Sequence, residues 1–182
     1  MQKQHQMSLA ADPDSRGIAL DSQGLQDAPQ MTLSLTLPLA DEAATAALGA
    51  RLGAAARPGG VVALVGDLGA GKTTLARGLI RSLAGAETEA PSPTFTLVQT
   101  YDTPRLSIWH FDLYRLTRPE EARELGIEEA VDGLALIEWP ERAGRYLPSA
   151  RLEVQLDFSG DGRIARLTDH ADWSTRIDGD WR

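Results

Sequence analysis

"GDLGAGKTTLARGLI", residues 66–80, follows the apolar run "VVALV" (61–65) and opens a stretch with Leu75, Leu79 and Leu83 at four-residue spacing. Gly66, four intervening residues, Gly71, Lys72 and Thr73 satisfy G-x-x-x-x-G-K-[ST] in full. The pattern has a mechanism only between a strand and a helix, which is where it lies. Glycines let the backbone curl so that successive N–H groups face one point, and the helix N-terminus adds its positive dipole end. A lysine then reaches the outer phosphates, and a threonine hydroxyl is available to Mg²⁺. The competing reading is a glycine-rich turn with an incidental lysine. Lysine usage speaks against it: Lys3 and Lys72 are the only lysines among 18 basic residues, the rest being arginine. A lysine kept where arginine otherwise prevails points to a need for a compact ammonium.

Upstream, "MTLSLTLPL" (31–39) alternates as a half-buried strand does, with Pro38 expected to end it. An alanine-rich helix follows, with Asp41 as N-cap and "PGG" (58–60) as its stop. "VVALV" has the continuous apolar character of a strand covered on both faces. The helix after the loop runs from Lys72 to Leu83. Two extended stretches come next, "TFTLVQTY" (94–101) and "RLSIWHFDLYRL" (105–116). Thr117 and Glu120 are read as a capping box around Pro119, starting a short helix that Gly126 closes. "LALIEW" (134–139) is another buried strand, and "RLEVQLDF" and "RIARLTD" form a hairpin around "SGDG". Strands interleaved with helices and closed by a hairpin predict a three-layer α/β domain on a mainly parallel sheet. Residues 1–30, polar and without periodicity, are read as a disordered tail, 31–170 as a single domain and 171–182 as a short C-terminal tail.

Composition narrows the function classes. With 182 residues, 42% of them hydrophobic, and no run near the roughly 18 apolar residues of a membrane span, the expectation is one soluble cytoplasmic domain with no membrane partner. No cysteine is present, which removes disulfides and thiolate metal sites, and His5, His110 and His170 are too far apart for a short ligand motif. A net charge of −8 makes a poor autonomous binder of nucleic acid, so any such ligand is expected to be held by a partner. The chain has no asparagine, hence no Asn-Lys-x-Asp guanine reader, which favours ATP over GTP.

A phosphate loop that hydrolyses its nucleotide needs an acidic residue at the end of a neighbouring strand. Asp112, ending "LSIWHFD", and Glu138, ending "LALI", both qualify. Period-2 geometry sets His110, Asp112 and Tyr114 on one face and Phe111 and Leu113 on the other. The plainer reading makes Asp112 a cap of the next turn or a partner of Arg115, and Glu138 half of a surface ion pair. "PSPTFT" (91–96) is either a rigid linker or a segment whose Ser92, Thr94 and Thr96 hydroxyls sense a terminal phosphate. Trp109 and Trp139 read as core, with Trp139 also placed to pack on a nucleotide.

Taken together, "GDLGAGKTTLARG", "SPTFTLV", "HFDLYRL", "ELGIEE" and "LIEWPER", in that order, make the chain resemble the TsaE family over about residues 33–158. These are bacterial P-loop ATPases needed for the threonylcarbamoyladenosine modification of tRNA. The resemblance implies a P-loop NTPase-like α/β fold whose sheet carries antiparallel members. It implies that Leu68, Gly69, Ala70, Gly71, Lys72 and Thr73 wrap the ATP phosphates with Thr74 beside them, that Thr73 and Glu138 hold Mg²⁺, and that Asp112 is required for hydrolysis. Asp41 and Glu42 match the part of the family that lies against adenine, and Phe95 stands where a tyrosine is common. It further implies that the protein joins TsaD and TsaB, that TsaD performs the transfer, and that tRNA is engaged only through that complex. A small-molecule kinase is the alternative, for which Arg115, Arg118 and Arg123 would have to build a lid; a nucleotide-binding scaffold that never hydrolyses is the third.

Overall fold

The strands from Gly60 to Val65 and from Leu134 to Glu138 are buried along almost their whole length, because helices cover both faces of the sheet they occupy. In the computed structural model, residues 34–177 and 181 are described; the tail read at 1–30 lies outside them. The strands are β1 (Ser34–Leu39), β2 (Gly60–Val65), β3 (Val98–Asp102), β4 (Ser107–Asp112), β5 (Leu134–Glu138), β6 (Leu152–Ser159) and β7 (Gly162–Asp169). They form one seven-stranded sheet in the order β1-β7-β6-β2-β5-β4-β3. The four central strands, β6, β2, β5 and β4, run parallel, while β7 and β3 join antiparallel and β1 pairs antiparallel with β7. The mainly parallel sheet with antiparallel members and a C-terminal hairpin is therefore as expected.

Helices α1 (Glu42–Ala55) and α2 (Lys72–Ala84) pack on one face. Leu48 and Leu52 of α1 join Leu75 and Leu79 of α2 in a core with Val62, Leu64, Leu136 and Val154 of the sheet. Short helices cover the other face: α3 (Glu120–Glu124) and 3₁₀ turns at Glu129–Asp132 and Pro140–Tyr146. Here Val61, Phe111, Leu113, Ala135 and Ile137 meet Ala122, Ile127 and Ala143 in a smaller core. Successive residues of β2 thus feed different layers, which is why its sequence is apolar throughout.

Close approach of α1 and α2 depends on glycine. A Cβ added at Gly49 would lie 2.1 Å from the Leu75 carbonyl oxygen, and one at Gly78 would lie 2.1 Å from that of Ala46. Neither oxygen can yield without moving its helix. Gly78→Ala is expected to cost about 2 kcal/mol of unfolding free energy in urea titration, overpacking outweighing alanine's better helix propensity. An unchanged midpoint would show that the helices part freely.

Several expectations shift in detail. Pro38 does not end its strand but lies within β1, opposite Ile164 of β7; β1 is an edge strand, so a missing N–H is tolerated. The stretch 94–101 becomes strand only from Val98, since 94–96 is a turn and Leu97 has φ 65°. Likewise β4 stops at Asp112, short of the expected 116. The capping box is displaced by one residue: Glu121 accepts from the Thr117 hydroxyl at 2.8 Å and the Arg118 N–H at 2.9 Å. Glu120 instead pairs with Arg145. Those hydrogen bonds, Thr117's first, hold the Glu121 carboxyl below its ordinary range. The stretch 171–182, expected as a short tail, carries part of the larger core, because Trp173, Ile177 and Trp181 recur at four-residue spacing and are all buried.

Candidate functional site

Val65 ends β2, and the chain turns at Gly66, whose φ is 145°; a Cβ there would stand 2.4 Å from the Leu156 carbonyl oxygen of β6. Only glycine lets the loop leave the sheet so close to its neighbour. Gly71, with φ 105°, precedes α2 and provides no side-chain cap, and the first turn of α2 has no acidic residue. The leading N–H groups of that helix have no partner within it, and the dipole there favours an anion.

Lys72 is the first residue of α2 and is only 4% exposed. Its ammonium donates to the carbonyl oxygens of Gly66 at 2.5 Å and Asp67 at 2.8 Å, bracing the loop, and sits 3.9 Å from the ring centroid of Trp139. Burial pushes this lysine below its ordinary value, against the opposing pull of Glu138, Glu141, Asp112 and Asp67. Trp139 has φ 58°, the left-handed region, immediately after β5. Its ring meets that of Tyr114 with centroids 4.9 Å apart.

Parallel pairing of β4 with β5 sets Asp112 opposite Glu138, so the two acidic candidates are register neighbours. Glu138 is 2% exposed, which removes the surface-ion-pair reading. Its carboxylate accepts from the Thr73 hydroxyl, 3.1 and 3.0 Å from the two oxygens, and Oε1 lies 2.9 Å from His110 Nε2. Asp112 does cap the following turn, Oδ1 accepting from the Tyr114 N–H at 3.1 Å. Its other oxygen accepts from the Ser92 and Thr94 hydroxyls, each at 2.8 Å. The segment 91–96 is thereby tied to the acidic pair through its hydroxyls, while Phe95 is 84% exposed. Arg115 does not pair with Asp112; it stands 4.4 Å from the Phe95 ring centroid.

Two adjoining cavities share Gly69, Gly71 and Thr74. One, of about 340 Å³, is lined by Leu68, Lys72, Thr73, Asp112, Glu138 and Trp139 among others. The other, of about 260 Å³, is lined by Asp41, Glu42, Thr45, Ala70, Asp161 and Arg163. Asp41, Glu42, Leu68 to Thr74, Asp112, Glu138 and Trp139 each line one of the two, as do Ser92 and Thr94, whereas Thr96, Trp109 and Arg115 line neither. Asp41 also caps α1, accepting from the Ala44 N–H at 2.8 Å, and Glu42 links to α2 through Thr74 at 3.4 Å and Arg77 at 3.6 Å. Arg118 and Arg123, which a kinase lid would need, are engaged locally with Glu121 and Glu128.

Sequence reasoning missed Arg163 and gave His110 no role. Arg163 reaches back from β7 to the carbonyl oxygens of Gly69 at 3.1 Å and Ala70 at 3.2 Å. No short-range signal reveals a contact across more than ninety residues. For His110 a signal existed: it shares a strand face with Asp112.

Comparison with known proteins gives a consistent result. Residues 39–166 match the family model described as "Threonylcarbamoyl adenosine biosynthesis protein TsaE". Proteins named "tRNA threonylcarbamoyladenosine biosynthesis protein TsaE" are similar to the chain. That of Rickettsia felis is 42% identical over 78% of this chain and 84% of its own length, and that of Rickettsia bellii 48% over 62% and 79%. The Bacillus subtilis protein of that name is 38% identical over 64% of this chain and 73% of its own. Among solved structures, the crystal structure of Bacillus subtilis YdiB superposes with TM-score 0.68 and 29% identity, covering 80% of this chain and 93% of that one.

Proposed function

The chain belongs to the TsaE family, and from that premise we propose that it binds and slowly hydrolyses ATP as an accessory protein of tRNA threonylcarbamoyladenosine modification, acting on a complex of TsaD and TsaB in the cytoplasm. Its relatives are named for that biosynthesis, and this chain shares the role. Among the described residues, no helix is long and apolar enough to cross a membrane.

The observation that carries the ATPase reading is the meeting of Thr73 and Glu138 at the uncapped start of α2, with Asp112 beside them in register. The donors there, a hydroxyl and carboxylates, are hard oxygens, the kind that suits Mg²⁺, and the glycine loop leaves room where a side chain would intrude. Leu68 to Thr73 would cradle the phosphates, Lys72 would neutralise them, and Thr73 and Glu138 would hold the ion. Magnesium, when bound, supplies charge neutralisation at the phosphates. Asp112 would orient the attacking water, and Trp139 would flank the phosphate end. Asp41 and Glu42 line the adjoining space, fit for the base.

Slow turnover by the isolated chain follows from what lines the phosphate side: among the described residues of that cavity there is no arginine to stabilise the transition state. The net charge of −8 suits a subunit that docks to proteins and meets tRNA only through them. A pull-down with TsaD and TsaB is expected to retain this chain in the presence of ATP. No complex with or without ATP would count against the proposal, and phosphate transfer to a metabolite without partners would favour a kinase.

A further inference from the structure

We propose that His110 is a positioning residue for Glu138, fixing that carboxylate for magnesium; the inference rests on the reading of Glu138 as a metal ligand. The His110 ring is fully buried on β4. Its Nε2 lies 2.9 Å from Glu138 Oε1, and its Nδ1, equally buried, has no hydrogen-bond partner among the described residues. An ionised carboxylate only accepts, so the shared bond places a proton on Nε2.

That arrangement differs from an ordinary core histidine, which satisfies both nitrogens. Here one buried nitrogen has no partner among the described residues and the other is committed to a functional carboxylate. Glu138 needs such a donor. Its other side-chain partner among the described residues is the Thr73 hydroxyl, nearly equidistant from both oxygens at 3.1 and 3.0 Å. A hydroxyl has one proton and a rotating bond, so it cannot by itself choose which oxygen to hold. The imidazole is fully buried, so its N–H is directed at Oε1 and helps set the orientation of the carboxylate. Oε2 is then left facing Thr73, the other residue read as a magnesium ligand. Groups that hydrogen-bond a ligating carboxylate orient it and tune the affinity of the site.

The test uses the full chain and measures binding rather than turnover. Affinity for a non-hydrolysable ATP analogue is titrated calorimetrically across magnesium concentrations, and again in EDTA. His110→Leu removes the donor. His110→Gln carries an amide N–H to the place of Nε2, whereas His110→Asn falls short. Half-saturating magnesium should rise about tenfold in His110→Leu and His110→Asn and stay within about threefold of wild type in His110→Gln. Affinity in EDTA should be unchanged in all three. Should His110→Leu fail to fold, the contrast between asparagine and glutamine still decides. Wild-type magnesium dependence in His110→Asn, or glutamine shifting as far as asparagine, would overturn the inference while leaving Glu138 as ligand. Wild-type binding that ignores magnesium would overturn the metal assignment itself, and this inference with it.

Discussion

Lys72→Ala is expected to weaken ATP binding about a hundredfold or more, a loss of about 2.7 kcal/mol, measured by calorimetric titration. Two losses combine. The ammonium disappears from the cavity where the phosphates are read to sit, and the carbonyl oxygens of Gly66 and Asp67 lose the donor that braces the loop. Lys72→Arg is expected not to restore binding. Lys72 is only 4% exposed and its ammonium lies against the face of Trp139, where a planar guanidinium has neither the shape nor the room. Affinity within twofold of wild type in the alanine variant would mean that the cradle is a turn after all.

Asp112→Asn should separate binding from chemistry. Asparagine is nearly isosteric and its amide oxygen can still accept from the Tyr114 N–H, so the turn after β4 is expected to survive. What goes is a charge that accepts from Ser92 and Thr94 and stands in register with Glu138. Single-turnover hydrolysis is expected to fall about a hundredfold or more, the range for removing a positioned acid or base, with nucleotide affinity changed less than about threefold. Equal loss of affinity and rate would make Asp112 a structural anchor of the 91–96 segment instead. Unchanged turnover would place the chemistry elsewhere.

Much of this arrangement was legible in local patterns. The glycine loop identified its own strand and helix, because G-x-x-x-x-G-K-[ST] has meaning only between them, and the apolar runs around 61–65 and 134–138 marked the strands buried on both faces. Asp112 and Glu138 were legible as strand ends, though their pairing was not, since register between parallel strands is set by packing. Misreadings fell where two signals overlap. Thr117 has acidic residues both three and four positions on, and the one that bonds it is Glu121. "TFTLVQTY" has the composition of a strand, yet its first half turns so that Thr94 can reach Asp112. The contacts of Arg163 with the loop, and the return of Trp173, Ile177 and Trp181 to the core, are products of topology. Trp173, Ile177 and Trp181 do share a four-residue spacing that the polar residues between them obscure.

We propose that a nucleotide held at Lys72 serves a partner's chemistry. The test is to reconstitute the tRNA modification from purified components, with TsaD and TsaB, over many turnovers. Sustained formation of threonylcarbamoyladenosine is expected only when this chain and ATP are both present, with Lys72→Ala behaving as if the chain had been left out. Equal yield with Lys72→Ala, or with no chain added, would contradict it.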